Sequence, residues 1–189
     1  MSADRVRETV QEIIAACRSM VGLPYDGEPV DQLEHALQCA ALARSAAAGD
    51  PEFVVAALLH DIARAPAVAG VQYDGPSEHH GQAAARWLVP RVGVRVAWLA
   101  EQHVPAKRYL VATEPDYAAR LTEVSARTLR AQGGPMSAGE VAAFRAHPDW
   151  QLAVGLRKID DLGKVPGARV PGLDAYRSDL AAVVAAAGR

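Results

Sequence analysis

The stretch DPEFVVAALLHDIA, beginning at Asp50, constrains the fold of this chain more than any other. Asp50 followed by Pro51 reads as a helix start: the carboxylate accepts from first-turn N–H groups, and proline fits the first helical position. From Phe53 to Leu59 every residue is apolar, so this helix has no polar side to offer water and belongs at the centre of a core. The run is far too short to cross a bilayer. Into the same helix the sequence sets His60 and Asp61, two polar groups that are expensive to bury without partners.

The rest of the chain supplies helices to surround it. No period-2 alternation of β-branched residues persists, whereas Ala-rich helical spacing recurs. Val6, Val10, Ile13, Ile14 and Cys17 fall on one face of a first helix. A Gly/Pro loop, GLPYDGEP, leads to a helix from about Val30, with Leu33, Leu37, Ala40 and Ala41 inward. Residues 64–78 read as a long loop, and further helices are expected near 80–89, 92–103, 116–131, 137–146, 149–163 and 174–187. Ser137 with Glu140 three residues on fits a capping box. The expected fold is all-α, a single helical-bundle domain over 1–189, a length that suits one compact core.

Charge and cysteine content narrow the function. Twenty basic against 22 acidic residues give a net charge of −2, which excludes a chain-wide basic footprint and hence a nucleic-acid partner of that kind. Two cysteines, Cys17 and Cys39, make neither a disulfide framework nor a Cys-rich zinc site. The N-terminal MSADRVRETVQEII lacks the apolar core of a signal peptide. A cytoplasmic protein without membrane association is expected.

Six histidines carry the chemistry: 35, 60, 79, 80, 103 and 147. A lone buried His needs only one hydrogen bond, but His60 and Asp61 together need charge partners, and a bound metal satisfies both. Neighbouring helix residues point about 100° apart, so a His-Asp pair reaches two adjacent positions, its carboxylate bridging two ions. Taken singly, His35, His79 or His80, His103 and Asp160-Asp161 are each explained by core packing, a helix end or a solvated face. Their order on successive helices is a joint signal that those readings do not explain. His147, in AHPDW, has no such role.

That order, H…HD…H…H…D, resembles the HD-domain superfamily of metal-dependent phosphohydrolases and its oxygenase branch. The strings YDGE (25–28), QLEHALQCA, LLHDIA, HVPAKRYL, LTEVSARTL, QGGPM, LRKIDDLGK and VPGLDAYR, spanning 25 to about 177, are similar to the mixed-valent di-iron oxygenases that cleave 1-hydroxy-2-aminoethylphosphonates, relatives of myo-inositol oxygenase. The resemblance implies two irons, Fe(II)/Fe(III), held by His35, His60, Asp61, His80, His103 and Asp160, with Asp61 bridging and O2 as co-substrate. His80 is preferred to His79 because HGQAAARWL matches the family's His-led helix, and Asp160 to Asp161 because of Arg-x-x-Asp from Arg157. It implies catalytic roles for Tyr25, which gives way at iron when substrate binds, and for Glu28, at the substrate amine. Lys107, Ser125, Gln132 and Arg157 match positions around the phosphonate, where Arg and Lys suit a near-dianion. Where the family continues HDIGH, this chain has HDIARA, placing Arg64 at the substrate. The implied products are phosphate with glycine, or glycine betaine for a trimethylated amine. A phosphohydrolase acting on a nucleotide or other phosphoester is the alternative; Tyr25, Glu28, AKRYL and QGGPM favour the oxygenase.

Overall fold

A computed structural model describes residues 1–25, 27–69 and 80–188. Eleven α-helices and one two-stranded ribbon are found among them. The expected all-α helical domain is what the chain forms. Its central helix is α3 (Pro51–Leu59): Asp50 caps it by accepting from the Phe53 N–H, Pro51 opens it, and all seven residues from Phe53 to Leu59 are buried. Around α3 pack α2 (Gln32–Ala46), α5 (His80–Glu101), α10 (Trp150–Leu162) and α11 (Arg177–Ala187), with α1 (Ala3–Arg18) against α11. No helix among the described residues is long and apolar enough to cross a membrane.

Several boundaries differ from the sequence reading, each for a local reason. α3 ends at Leu59, so His60 is its C-cap and Asp61 lies beyond it, followed by a 3-10 turn at Ile62–Arg64 and one helical turn, α4 (Pro66–Ala69). The expected loop thus begins as structured chain; its remainder, 70–79, lies outside the described residues. On α2 the buried line runs through His35, Ala36, Cys39, Ala40 and Ala43, while Leu33 and Leu37 are half-buried at its margin. Small side chains on that line let α3 approach closely, and the leucines seal the edges.

The short ribbon pairs β1 (Pro24–Tyr25) with β2 (Glu28–Asp31), placing Tyr25 opposite Glu28. Two to four residues are too few for a visible alternation, although Asp-Gly between two strands is a strong hairpin signal. Opposed residues of an antiparallel pair share a face, so the ribbon presents Tyr25 and Glu28 together.

The helices expected at 80–89 and 92–103 form one element, α5, bent at Gly93 (φ 86°, ψ 170°). His103 is not its end: it opens a further helix, α6 (His103–Thr113), which the sequence reading lacked. The proline of HVP looks like a stop, yet proline is tolerated in a first helical turn. The expected helix at 116–131 is two, α7 (Tyr117–Arg120) and α8 (Glu123–Ala131), because Thr122 caps α8 by accepting from Ser125 N–H. α9 (Ala138–Arg145) begins with the expected Ser137–Glu140 capping box.

Gly93 makes the bend possible, since its φ/ψ region is essentially closed to residues with a Cβ, and a Cβ there would meet that of Ala187 at 3.3 Å. Gly93→Ala is expected to lower the unfolding free energy by about 1–3 kcal/mol, read as a fall in the urea midpoint; an unchanged midpoint contradicts this account of the bend.

Candidate metal centre and its cavity

Helix ends and one buried helix face converge on a single point in the core. His35 comes from the second turn of α2, His60 and Asp61 from the end of α3, His80 and His103 from the first positions of α5 and α6, and Asp160 from α10. All six are buried.

Hydrogen bonds orient the rings. The Nδ1–H groups of His60 and His103 donate to the carbonyls of Ala57 (2.9 Å) and Ala100 (2.5 Å), and that of His35 to Gly163 (2.8 Å). A carbonyl only accepts, so in these three rings the neutral tautomer leaves the Nε2 lone pair facing inward. His35 Nε2 then lies 3.1 Å from His60 Nε2, and His103 Nε2 lies 2.8 Å from His80 Nε2. Lone pairs brought this close in an apolar core call for a positive charge between them. Burial holds His60 below the usual histidine range, and burial with the His80 charge holds His103 well below it. At His35, burial opposes the charged form but is outweighed by Cys39 and Asp160, so its pKa lies well above the usual value. A proton there, or a metal ion, meets the same need.

Asp61 lies between two donor sets. Its Oδ2 is 3.6 Å from His60 Nε2, whereas its Oδ1 is 3.2 Å from His80 Nε2 and 3.7 Å from His103 Nε2. Oδ1 is buried and makes no hydrogen bond among the described residues. Burial disfavours the Asp61 charge, but Arg64, His60 and His80 outweigh it and hold the carboxyl well below its usual range. Asp160 completes the first set, its Oδ1 3.4 Å from His35 Nε2. The groups His35–His60–Asp160 and His80–His103, with one Asp61 oxygen toward each, fit a pair of transition-metal ions, for which imidazole and carboxylate are good ligands. Cys39 Sγ is also near, 3.6 Å from His35 Nε2, and burial pushes its thiol pKa up.

Four of the donors, Asp61, His80, His103 and Asp160, line a cavity of about 280 Å³. Tyr25 stacks on His35 (centroids 4.1 Å apart) and donates from its hydroxyl to Asp160 Oδ1 at 3.2 Å. Burial, then Asp160 and Asp61, raise its pKa well above the usual value, so it remains a phenol. The Arg157 guanidinium donates to Asp160 Oδ2 (2.5 Å), to Asp161 and to Tyr117. Lys107 donates to Thr128 Oγ1 at 2.8 Å. Burial, with Arg157 nearby, brings its pKa down to about 7.

Arg64, Ser125, Gln132 and Glu28 line the same cavity, so every residue singled out from the sequence is brought to one place. The exception is His79, which lies outside the described residues. His147 stands apart, stacked on Trp98. Lys164, Thr128, Arg127, Thr122, Tyr117 and Asp161 were missed as functional partners. Lys164 ends the quoted LRKIDDLGK string, but nothing in helical spacing shows that it turns back over Tyr25. Asp161 pairs with Arg157 and Tyr117, while Asp160 gives one oxygen to Arg157 and turns the other toward His35.

The HD domain matches residues 33–132 of the chain. The chain belongs to the HD-domain family. Among curated proteins it is 39% identical over 150 residues to the [1-hydroxy-2-(trimethylamino)ethyl]phosphonate dioxygenase (glycine-betaine-forming) of Leisingera caerulea, covering 78% of this chain and 76% of that one. It is 38% identical over 165 residues to the hydroxymethylphosphonate dioxygenase of Gimesia maris, covering 84% and 80%. An uncharacterised protein of Acanthamoeba polyphaga mimivirus is 31% identical over 179 residues, covering 93% and 81%. The resemblance drawn from the sequence is borne out, and a metal cofactor follows from the family and the donor set together.

Asp61→Asn removes the charge that both donor sets share. Metal bound per chain is expected to fall to about half or less of the wild-type value by elemental analysis, with an unchanged helical circular-dichroism spectrum. Wild-type metal content in the variant contradicts the shared position of Asp61.

Proposed function

We propose that this HD-family chain is an O2-dependent di-iron oxygenase that cleaves the C–P bond of a 1-hydroxy-2-aminoethylphosphonate, or an N-methylated analogue, releasing phosphate and glycine or glycine betaine. The observation that carries the reading is Asp61 set between two histidine groups on the wall of a cavity rich in Lys and Arg. The names of the two dioxygenase relatives support it. His35, His60, Asp61, His80, His103 and Asp160 would hold two irons in the mixed-valent Fe(II)/Fe(III) state. Bound there, the irons supply O2 activation and the redox chemistry. For the primary-amine substrate, atoms balance with a single O2 and no external reductant. The reading places the enzyme in the cytoplasm, where its two free, buried cysteines stay reduced.

This chain's own groups bind and orient the substrate. Lys107, Ser125, Gln132 and Arg157 surround the phosphonate, with Arg157 kept rigid by Asp160, Asp161 and Tyr117. A buried guanidinium held on both sides presents its remaining donor edge in a fixed direction. Tyr25 closes the cavity over Asp160 and gives way as substrate arrives. Arg64, 3.4 Å from Asp61 Oδ1, adds a permanent positive charge to the cavity wall. The Tyr25 hydroxyl among the metal-facing groups favours this reading over phosphoester hydrolysis, which needs an open path for water.

Iron-loaded protein is expected to release phosphate from 2-amino-1-hydroxyethylphosphonate or its N-trimethyl analogue in air and to release none under argon. Release from phosphoesters under argon, with both phosphonates untouched, moves the protein to the hydrolase side of the family.

Lys107 adds a pH dependence with a definite sign. Its proton, lost near pH 7 in the substrate-free chain, carries the charge that attracts a dianion. Phosphonate affinity should therefore fall as pH rises above about 7, and Lys107→Arg, which keeps its charge, should flatten that fall. Parallel affinity profiles for the two proteins contradict the assignment of Lys107 to the phosphonate.

A further inference from the structure

Lys164 enters the cavity from a backbone pinned on both sides. The carbonyl before it, on Gly163, accepts from His35 Nδ1. The residue after it, Val165, donates its N–H to Gln38 Oε1 and accepts from Gln38 Nε2, both at 3.0 Å. A Cβ at position 163 would lie 2.6 Å from Cys39 Sγ, so the chain here passes against α2 with no room to shift. The Lys164 side chain then reaches across the ribbon. Its Nζ lies 3.3 Å from Glu28 Oε1, 3.4 Å from Ser125 Oγ and 5.6 Å from the centre of the Tyr25 ring. Lys164 and Glu28 side chains are only 10% and 9% exposed, and Glu28 Oε1 also accepts from Thr122 Oγ1 at 2.8 Å.

Two features of this arrangement matter. The carboxylate of Glu28 is already matched by a primary ammonium from the chain itself. The two contacts that the Lys164 ammonium makes, to Glu28 and to Ser125, are also long for charge-assisted hydrogen bonds, which settle near 2.7–2.9 Å, so Lys164 is shared between partners and not locked onto one. Of those partners, Glu28 lies on the ribbon side and Ser125 lies at the start of α8, where the phosphonate is placed under the proposed function.

We propose that Lys164 is an internal stand-in for the substrate's ammonium group: it neutralises Glu28 while the cavity is empty, yields Glu28 to an incoming ammonium, and then turns its charge toward the phosphonate through the Ser125 side. The inference rests on the phosphonate-oxygenase reading. It makes Lys164 a specificity-determining residue. An incoming ammonium only replaces like with like at Glu28, so Lys164 limits how strongly Glu28 selects for an amine. Its charge adds to the binding of any phosphonate through the Ser125 side.

The test is calorimetric binding under argon to iron-loaded protein, with 2-aminoethylphosphonate and ethylphosphonate as probes that lack the reactive hydroxyl. In Lys164→Met, Glu28 is left without its internal cation. The ratio of 2-aminoethylphosphonate to ethylphosphonate affinity is then expected to rise about tenfold over wild type, while ethylphosphonate binding itself weakens. Lys164→Arg should return the ratio toward the wild-type value. In Glu28→Gln the ratio should fall toward one and no longer respond to Lys164→Met. A merely structural lysine would weaken both probes by the same factor, and an unchanged or reduced ratio in Lys164→Met overturns the proposal while leaving the phosphonate reading intact. Failure of wild-type protein to bind either probe overturns both.

Discussion

Histidine nitrogens facing one another inside a buried core are the constraint on which this structure depends. The rings of His35, His60 and His103 have their outer nitrogens satisfied by backbone carbonyls, so their inner nitrogens point at one another and at the carboxylates of Asp61 and Asp160. Such a cluster is tolerable only with cations in its midst. Asp61 and Asp160 supply negative charge to hold those cations, and Arg157, Asp161 and Tyr117 hold Asp160 in turn. The need for positive charge is built into the core packing and is not an addition to a finished fold.

The helices meet that constraint by presenting ligands at their ends. His60 closes α3, His80 opens α5 and His103 opens α6. The price is a chain that changes direction beside the site, with a 3-10 turn after Asp61 and tightly apposed α5 and α6. Gly163 allows α10 to end against Cys39, which brings both Asp160 and Lys164 to the wall of the same cavity.

Much of this was legible in the sequence because it rests on local rules. The apolar run Phe53–Leu59 identified the central helix, and Asp50, Pro51 and the Ser137–Glu140 box marked helix starts. His60-Asp61 stood out because burial without partners is costly. What escaped depends on meetings between distant elements. The α6 helix was hidden by Pro105, which reads as a break until the preceding His103 is seen as a first helical residue. The ribbon was too short to show alternation. Tyr117 becomes a partner of Arg157 only when α7 meets α10, whereas Arg157–Asp161 is an i,i+4 pair within α10; Lys164 becomes a neighbour of Glu28 only through the pinning of Val165 to Gln38. Resemblance supplied the roles of Tyr25 and Glu28, which residue patterns alone leave as a loop aromatic and a solvated carboxylate.

The most direct measurement is iron K-edge X-ray absorption of the iron-loaded protein. If Asp61 joins two ions in the donor sets described, the spectrum contains iron–iron scattering at about 3.5–4 Å together with imidazole shells, at two irons per chain. A single iron per chain, with an imidazole shell and no metal neighbour, contradicts the paired centre.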